Sequence, residues 1–249
     1  MINGLYQIFK RWGDNTCWII SDPHFDDPDL IHPYPDRPSA AEQVKLINSK
    51  VGKNDTLIIL GDVGNPEWVK QLRGYKVLVC GNHDAGASNY ERHKRYRRFS
   101  TCIYNTKDAI EEMKKLHPNC QYTTKYLFKF GPDDDDDEYV EVCADNKMFD
   151  EIYEGPITIG EKLILSHEPI ENCDWCFNIH GHTHDRNIVN DDYHFNVCAD
   201  VINYTPINFN RWMKEGHLSK VKSLHRQTID EATARRKRRG YKLGGKHKC

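Results

Sequence analysis

The chain predicts an α/β fold built on buried, largely parallel strands. Three observations predict it: short apolar runs with no polar face, helical spacings between them, and a glycine or proline stop at each run's end. Thr16-Cys17-Trp18-Ile19-Ile20 is β-prone and ends in Ser21-Asp22-Pro23-His24, where proline forbids continuation of a central strand. Ser39-Ala40-Ala41-Glu42 has capping-box spacing and leads into Val44, Ile47 and Val51 at helical intervals, so residues 39–51 form an amphipathic helix. Thr56-Leu57-Ile58-Ile59-Leu60 reads as a strand buried on both faces and stops at Gly61-Asp62. Asn65 then caps a short helix with Pro66 at its first position and Gly74 past its end. Lys76-Val77-Leu78-Val79-Cys80 follows and runs into Gly81-Asn82-His83-Asp84.

From about 104 to 150 the character changes to an inserted helix plus hairpin. Lys107 to His117 is helix-like and stopped by Pro118, Tyr122 to Phe130 is strand-like, and Gly131-Pro132 precedes six acidic residues, Asp133 to Glu138. Adjacent carboxylates repel and gain most from water, so the acidic run reads as a solvated hairpin tip, with a cation site or a clamp on basic residues as the alternative. The core pattern resumes in Lys162-Leu163-Ile164-Leu165-Ser166, which ends at His167-Glu168-Pro169, and again in Ile179-His180-Gly181-His182-Thr183-His184. Tyr193 to Cys198 alternates like an edge or half-buried strand, and Thr205-Pro206 opens a helix through Lys214. Beyond Ser219 the pattern fades.

The totals suit one domain spanning 1–249, with the insertion and a basic tail at 235–249. No apolar run nears the roughly 18 residues a membrane span needs, so no membrane role is expected. Met1 to Trp12 lacks a continuous apolar segment, which makes a cytoplasmic address the expectation. Nine cysteines are scattered, and Cys17, Cys80 and Cys198 lie in strand-like runs where a reduced thiol packs as a small hydrophobe. Cys173 and Cys176 have C-x-x-C spacing, but no second pair accompanies them. Residues 235–249 carry eight lysines and arginines and no acid; with a net −2 for the whole chain, the preceding part is at −10. Such a run is a solvated tail first and a nucleic-acid or acidic-partner contact second.

Five apolar runs terminate in Asp22 and His24, Asp62, Asn82 and His83, His167, and His182 and His184. In open α/β sheets strand ends converge on one crevice. Carboxylate, amide and imidazole together form a mixed nitrogen and oxygen donor set that suits Mn, Fe, Zn or Ni better than Ca or a structural zinc.

Asp22-x-His24, Gly61-Asp62, Gly81-Asn82-His83-Asp84, His167 and Gly181-His182-x-His184 resemble, in order, the five blocks of the calcineurin-like metallophosphoesterases. Leu72-Arg73-Gly74-Tyr75-Lys76 and Ser166-His167-Glu168-Pro169 resemble the small bacterial and phage members. The resemblance implies a two-sheet β sandwich flanked by helices. It also implies a first metal on Asp22, His24, Asp62 and His184, a second on Asp62, Asn82, His167 and His182, and His83 facing the substrate. Two divalent ions, manganese favoured, against two carboxylates and a bridging hydroxide leave one positive charge to attract a phosphoryl group. In-line attack by that hydroxide on a phosphoester is the implied reaction, with His83 as general acid or as a donor to a phosphoryl oxygen, and Asp84 either keeping its imidazole protonated or serving a helix start. His180 reads as a supporting group or a plain strand residue, and Arg37 as a phosphate contact or an exposed side chain.

Protein Ser/Thr phosphatases of that superfamily carry an Asp-Arg pair after the second block, where this chain has Asn65-Pro66. A phosphodiester of nucleotide or nucleic-acid type is therefore the expected substrate, the basic tail recruiting polyanions. A phosphomonoesterase is the near alternative. A non-catalytic, metal-stabilised module that binds nucleic acid through the tail is the distant one.

Overall fold

The structure is a computed structural model that describes residues 16–31, 33–84, 148–171, 174–184 and 191–239, the backbone of 95–100, 121–129 and 137–145, and five single positions from 107 to 115. The first apolar run becomes β1 (Cys17–Ile20), followed by one turn of helix, α1 (Pro28–Ile31), and by α2 (Ala40–Lys50). Ser39 caps α2 as its spacing predicts, its hydroxyl accepting from the Glu42 amide while the Glu42 carboxylate accepts from the Ser39 amide at 2.9 Å. The next two runs are β2 (Thr56–Ile59) and β3 (Tyr75–Val79), joined through a 3-10 turn at Pro66–Gln71 that Asn65 caps.

β1, β2 and β3 pair in parallel, and β7 (Glu151–Tyr153) extends them on one side. β12 (Ile207–Asn208) closes the other side antiparallel to β1, with Ile19 opposite Ile207. The second sheet has the order β11 (His194–Asn196), β10 (Phe177–His180), β9 (Leu163–Leu165), β8 (Ile157–Ile159), and only β8 runs antiparallel. The expected edge strand at 193–198 is thus β11, at the rim of that sheet.

Alternation along the strands builds two cores. Ile19, Ile58, Leu60, Val77 and Val79 meet Leu163, Leu165, Phe177, Ile179 and Val197 between the sheets. Ile20, Leu57, Ile59 and Leu78 point the other way, onto Val44 and Ile47 of α2. This is why β2 has no polar face: Leu57, Ile58, Ile59 and Leu60 are all 0% exposed. Each such burial is worth about 1.5–3 kcal/mol. The two-sheet sandwich with outer helices that the motifs implied is the architecture found.

Three stretches differ from expectation. Phe209–Lys214 forms α3, but the segment before it is strand β12, because Ile207 serves β1 and Asn208 then caps the helix through the Arg211 amide. β5 (Gln121–Lys129) and β6 (Asp137–Asp145) form the hairpin, and β4 (Arg95–Ser100), before residue 104, joins it as a third strand. Asp137 and Glu138 of the acidic run belong to β6, whereas the remainder of the run lies outside the described residues. Finally, Leu224–Arg238 is helix α4 and not tail. Ser223 caps it, and Arg226–Asp230 and Glu231–Arg235 pairs brace it at i,i+4. None of its residues is buried, so it leaves no apolar stripe in the sequence to announce it. Residues 240–249 and Cys173 lie outside the described residues.

Candidate metal centre

The strand ends meet at one edge of the sandwich. Ser21 bridges to Cys198, its amide donating to Val197 O at 2.9 Å, so the last residues of β1 touch the second sheet there. The Asp22 and His24 amides donate to the Gly61 and Asp62 carbonyls at 3.1 and 3.0 Å, which locks the first two blocks together. A Cβ at Gly181 would overlap Ser21 and the Asp22 carboxylate, and one at Gly81 would overlap Asp62 Oδ1; only glycine permits these approaches.

Asp22, His24, Asp62 and His182 all have left-handed backbone, with φ of 55°, 40°, 50° and 65°. Each such residue costs of order 1–2 kcal/mol. The buried runs that precede them outweigh that strain, and the sharp corners turn side chains inward that a continuing strand would point sideways.

Each carboxylate splits its two oxygens between a backbone amide and the centre. Asp22 Oδ2 accepts from the His182 amide at 2.8 Å, and Asp62 Oδ1 accepts from the His83 amide at 2.9 Å. That leaves Asp22 Oδ1 and Asp62 Oδ2 facing the imidazoles. His24 Nε2 is 4.0 and 3.5 Å from those two oxygens, His184 Nε2 is 3.8 Å from Asp22 Oδ1, and His167 Nε2 is 3.2 Å from Asp62 Oδ2. On the far side His167 Nε2 also lies 2.8 Å from Asn82 Oδ1 and 3.1 Å from His182 Nδ1.

A partner behind each ring sets its orientation. His24 Nδ1 faces Asp27 at 2.7 Å, His184 Nδ1 faces Asp200 at 2.6 Å, and His167 Nδ1 faces the Leu60 carbonyl at 2.8 Å. With Nδ1 engaged on the outer side, Nε2 of His24, His184 and His167 is the atom turned inward, which is how metal-ligating histidines are held. Asp27 and Asp200 were not singled out in the sequence. The His24-x-x-Asp27 spacing was a usable signal, and so was Asp200, a carboxylate one residue past the apolar Val197-Cys198-Ala199.

The residues fit a pair of divalent cations. Donors sharing an ion with bonds of about 2.1 Å sit roughly 3.0–3.5 Å apart, close to the spacings found. Asp22 Oδ1 and His24 Nε2 are buried with no hydrogen-bond partner, an arrangement that costs free energy unless a cation lies between them. Cys198 also comes near, its Sγ 3.4 Å from His184 Nδ1. Burial and the Asp22 and Asp200 charges push its thiol pKa far up in the absence of a cation, and it groups with Asp22 and His184 as a candidate donor.

Charge in the cluster follows the same logic. Burial pushes the His24 imidazole down and outweighs the Asp27 hydrogen bond, so the ring is held neutral. Burial acts the same way on His167, but the Asp62 hydrogen bond and the Asp22 and Asp62 charges outweigh it and lift the ring to about 9. Burial would raise Asp62 and Asp200, yet hydrogen bonds from His167, and from His184 and Tyr204, hold both carboxyls below the usual range.

Residues 16–186 match the calcineurin-like phosphoesterase family. The chain belongs to that family. No curated protein and no solved structure matches it. The family acts on phosphoester bonds with divalent metal, and the clustered donors of this phosphoesterase are of the type that requires.

Other expected residues have definite places in the phosphoesterase. His83 is exposed, its ring centroid 5.6 Å from that of His24. Asp84 is a buried carboxylate turned to backbone amides of the second and third blocks. It is 1% exposed, and its carboxylate accepts from the Gly81, Asp62 and Val63 amides at 2.7, 2.9 and 3.0 Å, fastening the second and third blocks to each other. Arg37 is not exposed either: its side chain is 6% exposed, and Nη2 donates to the Asp22 and Pro23 carbonyls at 2.6 and 3.1 Å. His180 is a buried β10 residue whose Nδ1 faces the Gly181 carbonyl at 2.8 Å, behind the ligand loop and not in it.

Proposed function

We propose that this phosphoesterase hydrolyses phosphodiesters of nucleotide or nucleic-acid type at a two-cation centre. Asp22, His24, Asp62 and His184 would hold the first ion, and Asp62, Asn82, His167 and His182 the second. The observation that carries this reading is the pair of buried, partnerless atoms Asp22 Oδ1 and His24 Nε2 beside Asp62, Asn82, His167, His182 and His184. When bound, the cations supply Lewis acidity toward phosphoryl oxygens and activate water as the nucleophile. The donor set accepts Mn, Fe, Zn or Ni, and manganese is our first choice because hard carboxylate and amide oxygens share the site with the imidazoles.

The chain's own residues do the rest. Asp27 and Asp200 fix their imidazoles so that the ions and substrate meet a rigid frame. His83, held by its own amide on Asp62, reaches over the centre and gives a proton to the leaving oxygen as the P–O bond breaks. Water adds to phosphorus and the leaving alkoxide departs as an alcohol.

Preference for a diester rests on charge. A monoester dianion gains from added cations, and the position where protein phosphatases place arginine holds Asn65 and Pro66, which cap a 3-10 turn and tie to Asp26. Arg235 to Arg238, exposed at the end of α4, are read as an attachment for polyanionic substrates, and a KM that rises steeply with salt would support that reading. The buried free thiols of Cys17 and Cys198 favour a reducing, cytoplasmic setting.

The test is metal analysis of protein purified without chelator, together with aryl phosphodiester and phosphomonoester turnover under Mn loading. Diester preference with about two metals per chain supports the reading. A strong monoester preference overturns the diesterase assignment, and metal without cleavage of either substrate favours the binding-module alternative.

A further inference from the structure

A cavity of about 510 Å³ opens beside His184, walled on one side by the loop 33–37 and on the other by Asp200 and Tyr204. Its size suits an organic group of nucleoside dimensions. Nothing in the cation centre accounts for it, because the donor atoms converge on the opposite side of the His184 ring from Asp200.

The walls have a definite chemistry. Tyr34 stands with its ring centroid 5.6 Å from that of His184, tilted by 38°, and Pro33 and Pro35 stiffen the chain on either side. Asp36 is exposed at the rim. Arg37 closes one wall, its guanidinium 5.5 Å from the Tyr204 ring centroid, and its Nε and Nη1 are buried with no hydrogen-bond partner among the described residues. A second phosphate is a poor match. The Arg37 charge already faces Asp200 at 3.5 Å, and Asp36 adds a further carboxylate, so the lining carries more negative than positive charge. A neutral, flat group with N–H donors matches better: an N–H for the exposed Asp36 and a π face for Tyr34.

We propose that this cavity is a nucleobase subsite, in which Tyr34 covers the base of a nucleotide-type ester while its phosphoryl group lies at the cation centre. The inference rests on the phosphoester reading above and adds the class of group that the enzyme grips.

The test uses the full chain loaded with Mn and compares calorimetric binding of thymidine 5′-monophosphate with that of inorganic phosphate. Base stacking on an aromatic side chain predicts that the wild type binds the nucleotide roughly tenfold more tightly than phosphate. Tyr34→Ala is expected to bring that ratio to within about twofold, Tyr34→Phe to keep it, and Asp36→Ala, at an exposed position that leaves folding intact, to lower it. A wild-type ratio near one, or a ratio unmoved in both Tyr34→Ala and Asp36→Ala, overturns the subsite. Loss of phosphate binding in the wild type counts against the cation centre itself, which separates the two failures.

Discussion

His24 and Asp27 stand 2.7 Å apart, and that contact decides which ring nitrogen His24 turns toward Asp22 and Asp62. Without Asp27 the ring is free to rotate or to change tautomer. Asp27→Ala is therefore expected to weaken metal affinity about 10- to 100-fold with the fold retained, read by competition with a fluorescent chelator. Affinity equal to the wild type's would mean that packing alone orients the ring.

Asp84 joins three amides from two blocks inside the protein. Truncation leaves those N–H groups buried and unsatisfied, at about 1–3 kcal/mol each before any relaxation. Asp84→Ala should lower the melting temperature of the metal-free protein by several degrees, and Asp84→Asn, which keeps acceptors for at least part of the set, should lower it less. Equal melting of Asp84→Ala and wild type would show that water replaces the carboxylate at no cost.

His83 is exposed and near the centre, yet outside the ligand set. Its removal should spare metal content and slow catalysis. His83→Ala is expected to lower kcat roughly 10²- to 10⁴-fold toward esters with poor leaving groups, and less toward nitrophenyl esters, whose leaving group needs no proton. Uniform loss across both would point to a binding role instead.

A pH effect far from the centre checks the helix start. Hydrogen bonds from the Ser39 hydroxyl and amide hold the Glu42 carboxyl below its ordinary range, against a small opposing effect of burial. A depressed folded pKa means that the capping box stabilises above the ordinary glutamate range and loses that effect as pH falls through the folded value. NMR titration should find Glu42 below the other exposed glutamates and returned to their range in Ser39→Ala.

The five blocks whose side chains converge were legible because each sits where an apolar run breaks, and a break that offers carboxylate or imidazole is visible without a structure. The capping box announced α2 in the same local way. The groups behind the ligands were not legible. Asp200 acts on His184 across 16 residues, and Asp84 acts on Asp62 across 22, so their partners follow from the way the loops stack and not from spacing. Arg37 read as a phosphate contact or an exposed side chain, and only the fold shows it bonded to the carbonyls of the first block. α4 escaped for the opposite reason: it is helical through capping and surface pairs, with no buried face to give it a period.

The bridge from Ser21 to Cys198 has a further consequence. The two sheets are stitched at the same edge that gathers the donors, so cations there would rivet one sheet to the other. Chelation should then act on breathing as well as on turnover: amides of Asp22, Gly181 and Ala199 would exchange with deuterium sooner, while the middle of β2 keeps its protection. Loading the metal and closing the sandwich become two descriptions of one equilibrium.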